Sequence, residues 1–161
     1  MRIDIMSKMR GVAPFASLWK RRVTIELSDG TKCDLLSLPD LVQAKKTQRD
    51  KDWPMIRRLV EAHYFANNKK SHLPYVKFWL RELRTPALLL DVVQAHTNVA
   101  RQFSDRRRLL RHALRRNIAQ LERALAAEES RSRAQDKAYW LPLRKELEIL
   151  RHQKATAELP D

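Results

Sequence analysis

The residues best suited to chemistry lie in residues 38–52, where four cations and three carboxylates surround a predicted helix break. Lys45 and Arg49 are four residues apart and therefore share one helix face. Lys51 and Asp52 fall at the start of the next helix, where free backbone N–H groups hold anions. The segment predicts a phosphate clamp, although a solvated face with local ion pairs explains the same charges. The candidate phosphate-binding residues are Lys45, Lys46, Arg49, Lys51 and Asp52.

A second group of cations lies nearer the carboxyl end. It consists of six arginines: Arg106, Arg107, Arg108, Arg111, Arg115 and Arg116. Consecutive arginines cover nearly all directions around a helix, so part of the cluster must face outward. A basic helix face of this kind predicts binding to RNA or DNA, with an affinity that falls steeply as salt rises. An acidic protein partner and a plain solvated face are the alternatives.

Several familiar kinds of site are absent from the sequence. The chain has two glycines, which excludes a Gly-rich phosphate loop of the Walker or dinucleotide type. Its five histidines are scattered without Cys or carboxylate partners at zinc-ligand spacing. The Gly-x-Ser-x-Gly elbow of serine hydrolases does not occur. We therefore expect no complete catalytic site.

Composition and charge point to an anionic partner. The 161 residues are enough for one domain, with room for a helical appendage. A formal net charge of +14 favours nucleic acid, nucleotide or an acidic protein as partner. A single cysteine excludes an internal disulfide and fits a reducing compartment. Without a signal-peptide pattern or a long apolar run, the sequence predicts a soluble, cytoplasmic protein that does not span a membrane.

The β-structure is predicted near the amino end. Residues 22–27 and 31–36 alternate around an Asp29-Gly30 turn, which is a strong hairpin signal. Residues 2–6 alternate polar and apolar side chains and predict a further strand, giving a small three-stranded sheet.

Helices are predicted for the rest of the chain. One begins at Ser37-Leu38-Pro39-Asp40 and a second at Asp52. The remaining predictions are helices over residues 73–84, 86–100, about 104–127 and about 131–154, the last with a kink at Pro142. The two long helices are expected to pair as an antiparallel hairpin. The predicted fold class is α+β and predominantly α: a small mixed or antiparallel sheet with helices over residues 1–70, then a basic helical bundle or hairpin over residues 71–161.

The hairpin, the segment L-x-D-L-V-x-x-K-K followed by R-D-K-D, and the apolar helix after it together resemble a known family. Over about residues 2–66 the chain is similar to the distal part of a minimal nucleotidyltransferase-like domain, including those of abortive-infection and toxin–antitoxin systems. In that family the opening strand brings the third metal-binding carboxylate, which here corresponds to Asp4; a charged residue that deters pairing at a sheet edge is the alternative. The family's Gly-Ser motif and Asp-x-Asp hairpin precede that strand. Asp50-Lys51-Asp52 has the Asp-x-Asp spacing but lies at a predicted helix start, so we expect a truncated copy, a mis-started reading frame or a binding role without catalysis.

The resemblance also implies a ligand and a cofactor. Lys45 or Lys46 would neutralise the oxygens of a nucleoside triphosphate, and Arg49, Lys51 and Asp52 would form the framework of the helix break beside the phosphates. Mg²⁺ would be held by Asp4 and would help to neutralise the departing pyrophosphate.

Overall fold

The fold is predominantly helical with one small sheet. The computed structural model describes residues 8–70 and 72–157, with side chains as far as residue 153. The helices are α1 (Phe15–Lys20), α2 (Leu38–Ala44), α3 (Asp52–Asn67), α4 (Leu73–Glu82), α5 (Pro86–Ala95), α6 (Thr97–Phe103), α7 (Leu110–Leu114) and α8 (Ile118–Ala157), with a 3₁₀ turn at Asn68–Lys70. Strands β1 (Val23–Glu26) and β2 (Lys32–Leu35) form an antiparallel pair. The helical share is 69%, so the predicted α+β, predominantly α class is confirmed.

The predicted Asp-Gly hairpin is confirmed. Gly30 has φ +81°, and the Asp29 carboxylate accepts a hydrogen bond of 2.9 Å from the Thr31 N–H. Val23 pairs with Leu35 and Ile25 with Cys33, so these apolar side chains share one face of the hairpin. Their face remains largely exposed to solvent. The further strand predicted for residues 2–6 lies outside the described residues.

The helices that follow the hairpin begin where the sequence predicts. The Ser37 hydroxyl caps α2 by accepting from the Asp40 N–H at 3.4 Å. The Asp40 carboxylate in turn accepts from the Arg21 guanidinium at 2.8 Å, which ties the base of the hairpin to α2. Helix α3 begins at Asp52, as predicted, and ends at Asn67.

One hydrophobic core joins helices from both sides of residue 70. Its largest fully buried side chains include Trp79, Ile56, Leu80, Leu83, Leu89, Leu110 and Leu121. Burying each such side chain stabilises the fold by roughly 1.5–3 kcal/mol. The helical spacing of the aromatic residues 53, 64, 65, 75, 78 and 79 predicts core packing. This is confirmed for Trp53, Phe78 and Trp79, each at most 5% exposed, whereas Tyr64 and Tyr75 are partly buried against the core and Phe65 is 63% exposed.

The predicted helix over residues 104–127 is wrong. Helix α7 ends at Leu114, Arg116 adopts a left-handed φ of +55°, and α8 begins at Ile118. The Asn117 side chain accepts from the Gln120 N–H at 3.0 Å, which starts the new helix. The residues that would continue a helical seam through this region are instead divided between two helices that both pack on the core.

Residues 131–154 are helical, as predicted, but they do not form a separate helix. These residues belong to α8, which continues through Pro142, so no turn separates two long antiparallel helices. Pro142 removes the hydrogen bond to the Ala138 carbonyl. Both residues are exposed, so water can satisfy that carbonyl. The predicted helix over residues 86–100 is divided at His96, where α5 ends and α6 begins.

Candidate phosphate-binding surfaces

The predicted phosphate clamp is built around a buried carboxylate. Asp52 is 1% exposed and accepts a hydrogen bond of 2.5 Å from the Thr47 hydroxyl. Lys45 Nζ lies 3.6 Å from Asp52 Oδ1, and Arg49 Nε lies 3.3 Å from Asp52 Oδ2. The structure therefore brings Lys45, Arg49 and Asp52 together. The two cations neutralise Asp52, while Arg49 keeps 61% of its side chain exposed.

The other two lysines of this segment lie elsewhere. Lys46 Nζ is 2.8 Å from Oε2 of Glu82, a carboxylate that is 4% exposed. Lys46 thus compensates a buried charge beneath the surface. Lys51 is exposed at the start of α3, and in the described part of the chain its ammonium forms no ion pair.

A groove of about 320 Å³ lies beside this segment, between it and the distal part of α8. Its lining consists of Met9, Arg10, Ala44, Lys46, Thr47, Gln48, Arg49, Asp136, Trp140, Leu143, Arg144 and Leu147. Asp136 is 3% exposed and accepts from Arg10 Nε at 3.3 Å, the Gln48 N–H at 2.9 Å and Trp140 Nε1 at 3.2 Å. Asp136 therefore holds the groove together and is not free to bind a ligand.

Sequence reasoning missed Arg10 and Asp136. Asp136 does leave a signal, because it stands on the same helical stripe as Leu121 and Leu125, where an apolar residue is expected. A carboxylate on an apolar stripe indicates a buried partner. Arg10 has no comparable signal, since its partner lies 126 residues away.

The arginine cluster lines a second cavity, of about 430 Å³, between residues 105–112 and α8. We call it the arginine cleft. Its lining consists of Asp105, Arg106, Arg107, Arg108, Leu109, His112, Ala124, Ala127, Glu128 and Arg131. The structure thus brings three of the six predicted arginines to one concave surface, together with Arg131, which the prediction did not include.

One arginine of the cleft is buried. Arg107 is 7% exposed, and its guanidinium donates to Glu128 at 3.0 and 2.8 Å and to the Leu80 carbonyl at 2.9 Å. Arg84, also 7% exposed, lies with Nη1 3.5 Å from Glu128 Oε2 and with its guanidinium over the Trp53 ring. Burial alone raises the pKa of Glu128, but the Arg107 hydrogen bond and the charges of Arg107 and Arg84 bring that pKa below its ordinary value. Burial lowers the pKa of the Arg84 guanidinium.

The remaining arginines of the cleft face solvent. Arg106, Arg108 and Arg131 are exposed, and no ion pair joins them to a carboxylate among the described residues. Arg106 lies over the Phe103 ring, 5.8 Å from its centroid. The cleft therefore presents three guanidinium groups that no described carboxylate neutralises.

The last three predicted arginines lie around α7. Arg111 pairs with the exposed Asp105 at 2.9 Å. Arg115 and Arg116 are exposed at the end of α7, and Arg116 lines a separate hollow of about 240 Å³ together with Arg101. The cluster is therefore spread over several surfaces.

The structure leaves the predicted metal site untested, because Asp4 lies outside the described residues. Within residues 8–70 and 72–157, no three His, Cys, Asp or Glu side chains are close enough to share a metal ion. The described helices include none with the length and apolarity needed to cross a membrane. Comparison of the chain with protein-family models, curated proteins and solved structures finds no match.

Proposed function

We propose that this protein is a non-catalytic, cytoplasmic nucleic-acid-binding module that holds the phosphate backbone in the arginine cleft. The observation behind the proposal is the set of three exposed guanidinium groups, on Arg106, Arg108 and Arg131, in one concave surface without carboxylate partners among the described residues. A guanidinium group can donate two parallel hydrogen bonds to one phosphate, which makes arginine well suited to this ligand.

The carboxylates of the cleft do not cancel this charge. Glu128 is already paired with Arg107 and Arg84, and Asp105 is paired with Arg111. The cleft is therefore positive after its own ion pairs are formed. A positive concave surface on a chain of charge +14 attracts polyanions and speeds their association.

Contacts of this kind recognise the backbone and not the sequence. Phosphate contacts position a nucleic acid, whereas base-edge contacts specify it. We therefore expect similar affinities for different sequences of the same length and a strong dependence on salt.

The test is fluorescence anisotropy with a labelled DNA duplex across a series of salt concentrations. The variant R106A/R108A/R131A removes the three free guanidinium groups and should reduce the slope of log K against log salt by about 2.7, that is, about 0.9 for each lost phosphate contact. The matched control is R57A/R58A/K69A, which removes the same charge from exposed positions outside the cleft lining. An equal loss of slope in the control would show that the cleft is not the site, and no binding by the unmodified chain would refute the function.

A second function is binding of a nucleoside triphosphate with Mg²⁺ at the groove beside residues 44–49. One observation favours it: exposed Arg49 and Arg144 share the groove with the indole of Trp140. Cations bind phosphate groups, and an aromatic side chain stacks on a nucleobase. In this proposal Asp4 would hold the metal ion, which would neutralise phosphate charge.

This second function is tested by isothermal titration with ATP, GTP, CTP and UTP, each with and without Mg²⁺. Binding that needs Mg²⁺ and weakens in R49A/R144A would support it. The variant D4A should lose the dependence on Mg²⁺. Mg²⁺-dependent binding that is unchanged in D4A would exclude Asp4 as the metal ligand.

A further inference from the structure

Helix α8 continues an apolar stripe past the part of the helix that packs on the core. In its first half, Leu121 and Leu125 are buried on this stripe. In its distal half, the same helical direction is occupied by Trp140, Leu143, Leu147 and Leu150, at spacings of three, four and three residues. We call these four residues the distal seam.

The distal seam is open to solvent over most of its length. Leu143, Leu147 and Leu150 are 44%, 42% and 52% exposed. Trp140 is half-buried, because its indole reaches Asp136 in the groove. Spacings of three and four residues are those of the a and d positions of a coiled coil, with Trp140 and Leu147 at a and Leu143 and Leu150 at d.

The charges beside the seam are arranged for one particular partner. With this assignment Glu146 occupies a g position, and Arg144 and Arg151 occupy e positions. In a parallel pair of identical helices, a g residue faces the e residue five positions further along the partner. Glu146 would then face Arg151 of the partner subunit, and the symmetric contact would form on the other side.

The antiparallel arrangement lacks this complementarity. There e residues face e residues, which would bring Arg144 or Arg151 of one copy toward the same arginines of the other. Like charges at these positions destabilise a pair of helices. We therefore propose that the distal seam is a docking surface for a second copy of this chain, in a parallel two-stranded coiled coil.

The rest of the distal helix is compatible with this arrangement. Pro142 falls at a c position, away from the seam, so its ring does not obstruct the partner helix. Trp140, Leu143 and Leu147 also line the groove, whereas Leu150 does not. The carboxyl-terminal end of the seam is therefore the most accessible part, and we expect pairing to be tightest there.

The first test is disulfide cross-linking in a C33S background, which removes the native thiol. The variant L150C should form a covalent dimer under mild oxidation, because parallel pairing places the two d-position thiols opposite each other. The control is I149C, one residue away and equally exposed but outside the seam. Efficient cross-linking of I149C, or its absence in L150C, would overturn the proposal.

The second test is charge reversal read out by sedimentation equilibrium. The variants E146R and R151E each place like charges across the interface and should lower the association constant several-fold. The double variant E146R/R151E restores opposite charges and should recover the association constant. A chain that sediments as a monomer up to near-millimolar concentration, or a double variant no better than the single ones, would refute the coiled coil.

Salt separates this inference from nucleic-acid binding. Two copies of charge +14 repel each other, and salt screens that repulsion, so dimerisation should strengthen as ionic strength rises. Nucleic-acid binding should weaken under the same change. The two proposals rest on different residues, so either can fail without the other.

Discussion

Arg107 and Arg108 are adjacent in the sequence but lie in different environments. Arg107 is buried and forms a forked pair with Glu128, whereas Arg108 is exposed in the arginine cleft. The variant R107A leaves Glu128 without its main partner and should lower the free energy of unfolding by about 3 kcal/mol. The neighbouring variant R108A should change it by less than about 0.5 kcal/mol. Urea denaturation of both proteins measures the difference, and equal stabilities would contradict the assignment of Arg107 to the interior.

Asp52 should behave as a structural carboxylate. Asp52 is buried, accepts a hydrogen bond from the Thr47 hydroxyl and forms ion pairs with Lys45 and Arg49. The variant D52N should therefore lower the free energy of unfolding by about 1–3 kcal/mol, because it weakens these charge-assisted contacts. Asp50, two residues earlier, is 97% exposed and pairs with Arg133 at the surface, so D50N is the matched control and should cost less than about 1 kcal/mol. Thermal unfolding followed by circular dichroism compares the two. A harmless D52N would show that the cluster does not depend on this charge.

His63 should make stability depend on pH. Burial lowers the pKa of His63, and its Nδ1 accepts a hydrogen bond of 3.0 Å from Trp79 Nε1, which requires an unprotonated nitrogen. The unfolded chain therefore binds more protons than the folded chain below the ordinary pKa of about 6.5. The stabilising contribution is fully present above that pH and falls as the pH drops toward the folded pKa.

The variant H63Q should remove that contribution to the pH dependence. The melting temperature of the unmodified chain should fall between about pH 7 and pH 5 by more than that of H63Q. The exposed His72, which also contacts Tyr75, provides the control H72Q. A pH dependence that is the same in H63Q and the unmodified chain would contradict this account.

The hairpin of β1 and β2 is the element least supported by the rest of the fold. Only two strands are paired in the described sheet, and the apolar side chains of Val23, Ile25 and Leu35 are 39–49% exposed. Two-stranded hairpins are marginally stable in water. Amide hydrogens of β1 and β2 should therefore exchange much faster than those of α3 to α5, and I25T should leave the melting temperature nearly unchanged. Slow exchange in the strands would show that another surface covers the hairpin.

Local signals in the sequence predict some elements well. The Asp29-Gly30 turn, the Ser37 cap and the start of α3 each depend on a few neighbouring residues, and each is confirmed. The break at Arg116 was missed because arginine is a good helix former and rarely adopts a positive φ, although Asn117, whose side chain caps α8, is a local helix-start residue. Pro142 led to the opposite error. It predicted an interruption of the helix, but α8 continues through it, because an exposed proline is tolerated there.

The sequence predicts which cations could form the candidate sites, but it does not predict which carboxylates pair with them. The cations at residues 45–51 and 106–116 are visible in the sequence. However, the carboxylates that form ion pairs with Lys46 and Arg107 lie 36 and 21 residues away in the chain. Sequence periodicity contains no information on contacts at that separation. It therefore could not divide the arginines into buried and exposed sets, and Arg131 was missed because it belongs to a different helix from the cluster it joins.

At the scale of the whole molecule, some cations form ion pairs in the interior and others are exposed to solvent. Lys46, Arg84 and Arg107 are among those that form ion pairs with buried or half-buried carboxylates. The net charge of +14 therefore resides mainly on exposed side chains. Addition of heparin, a polyanion without bases, should compete with nucleic acid for the unmodified chain at low salt. Failure of heparin to compete would indicate recognition of bases and contradict backbone binding.

The length of α8 has a consequence for geometry. Leu150 lies 19 positions beyond Arg131 on one uninterrupted helix, a distance of about 28 Å along the axis. If two chains join in parallel at the distal seam, both arginine clefts project from the same end of the particle. A nucleic acid long enough to reach both would meet the second cleft at a high effective concentration, so its apparent affinity would exceed that of a short fragment by far more than the added charge explains.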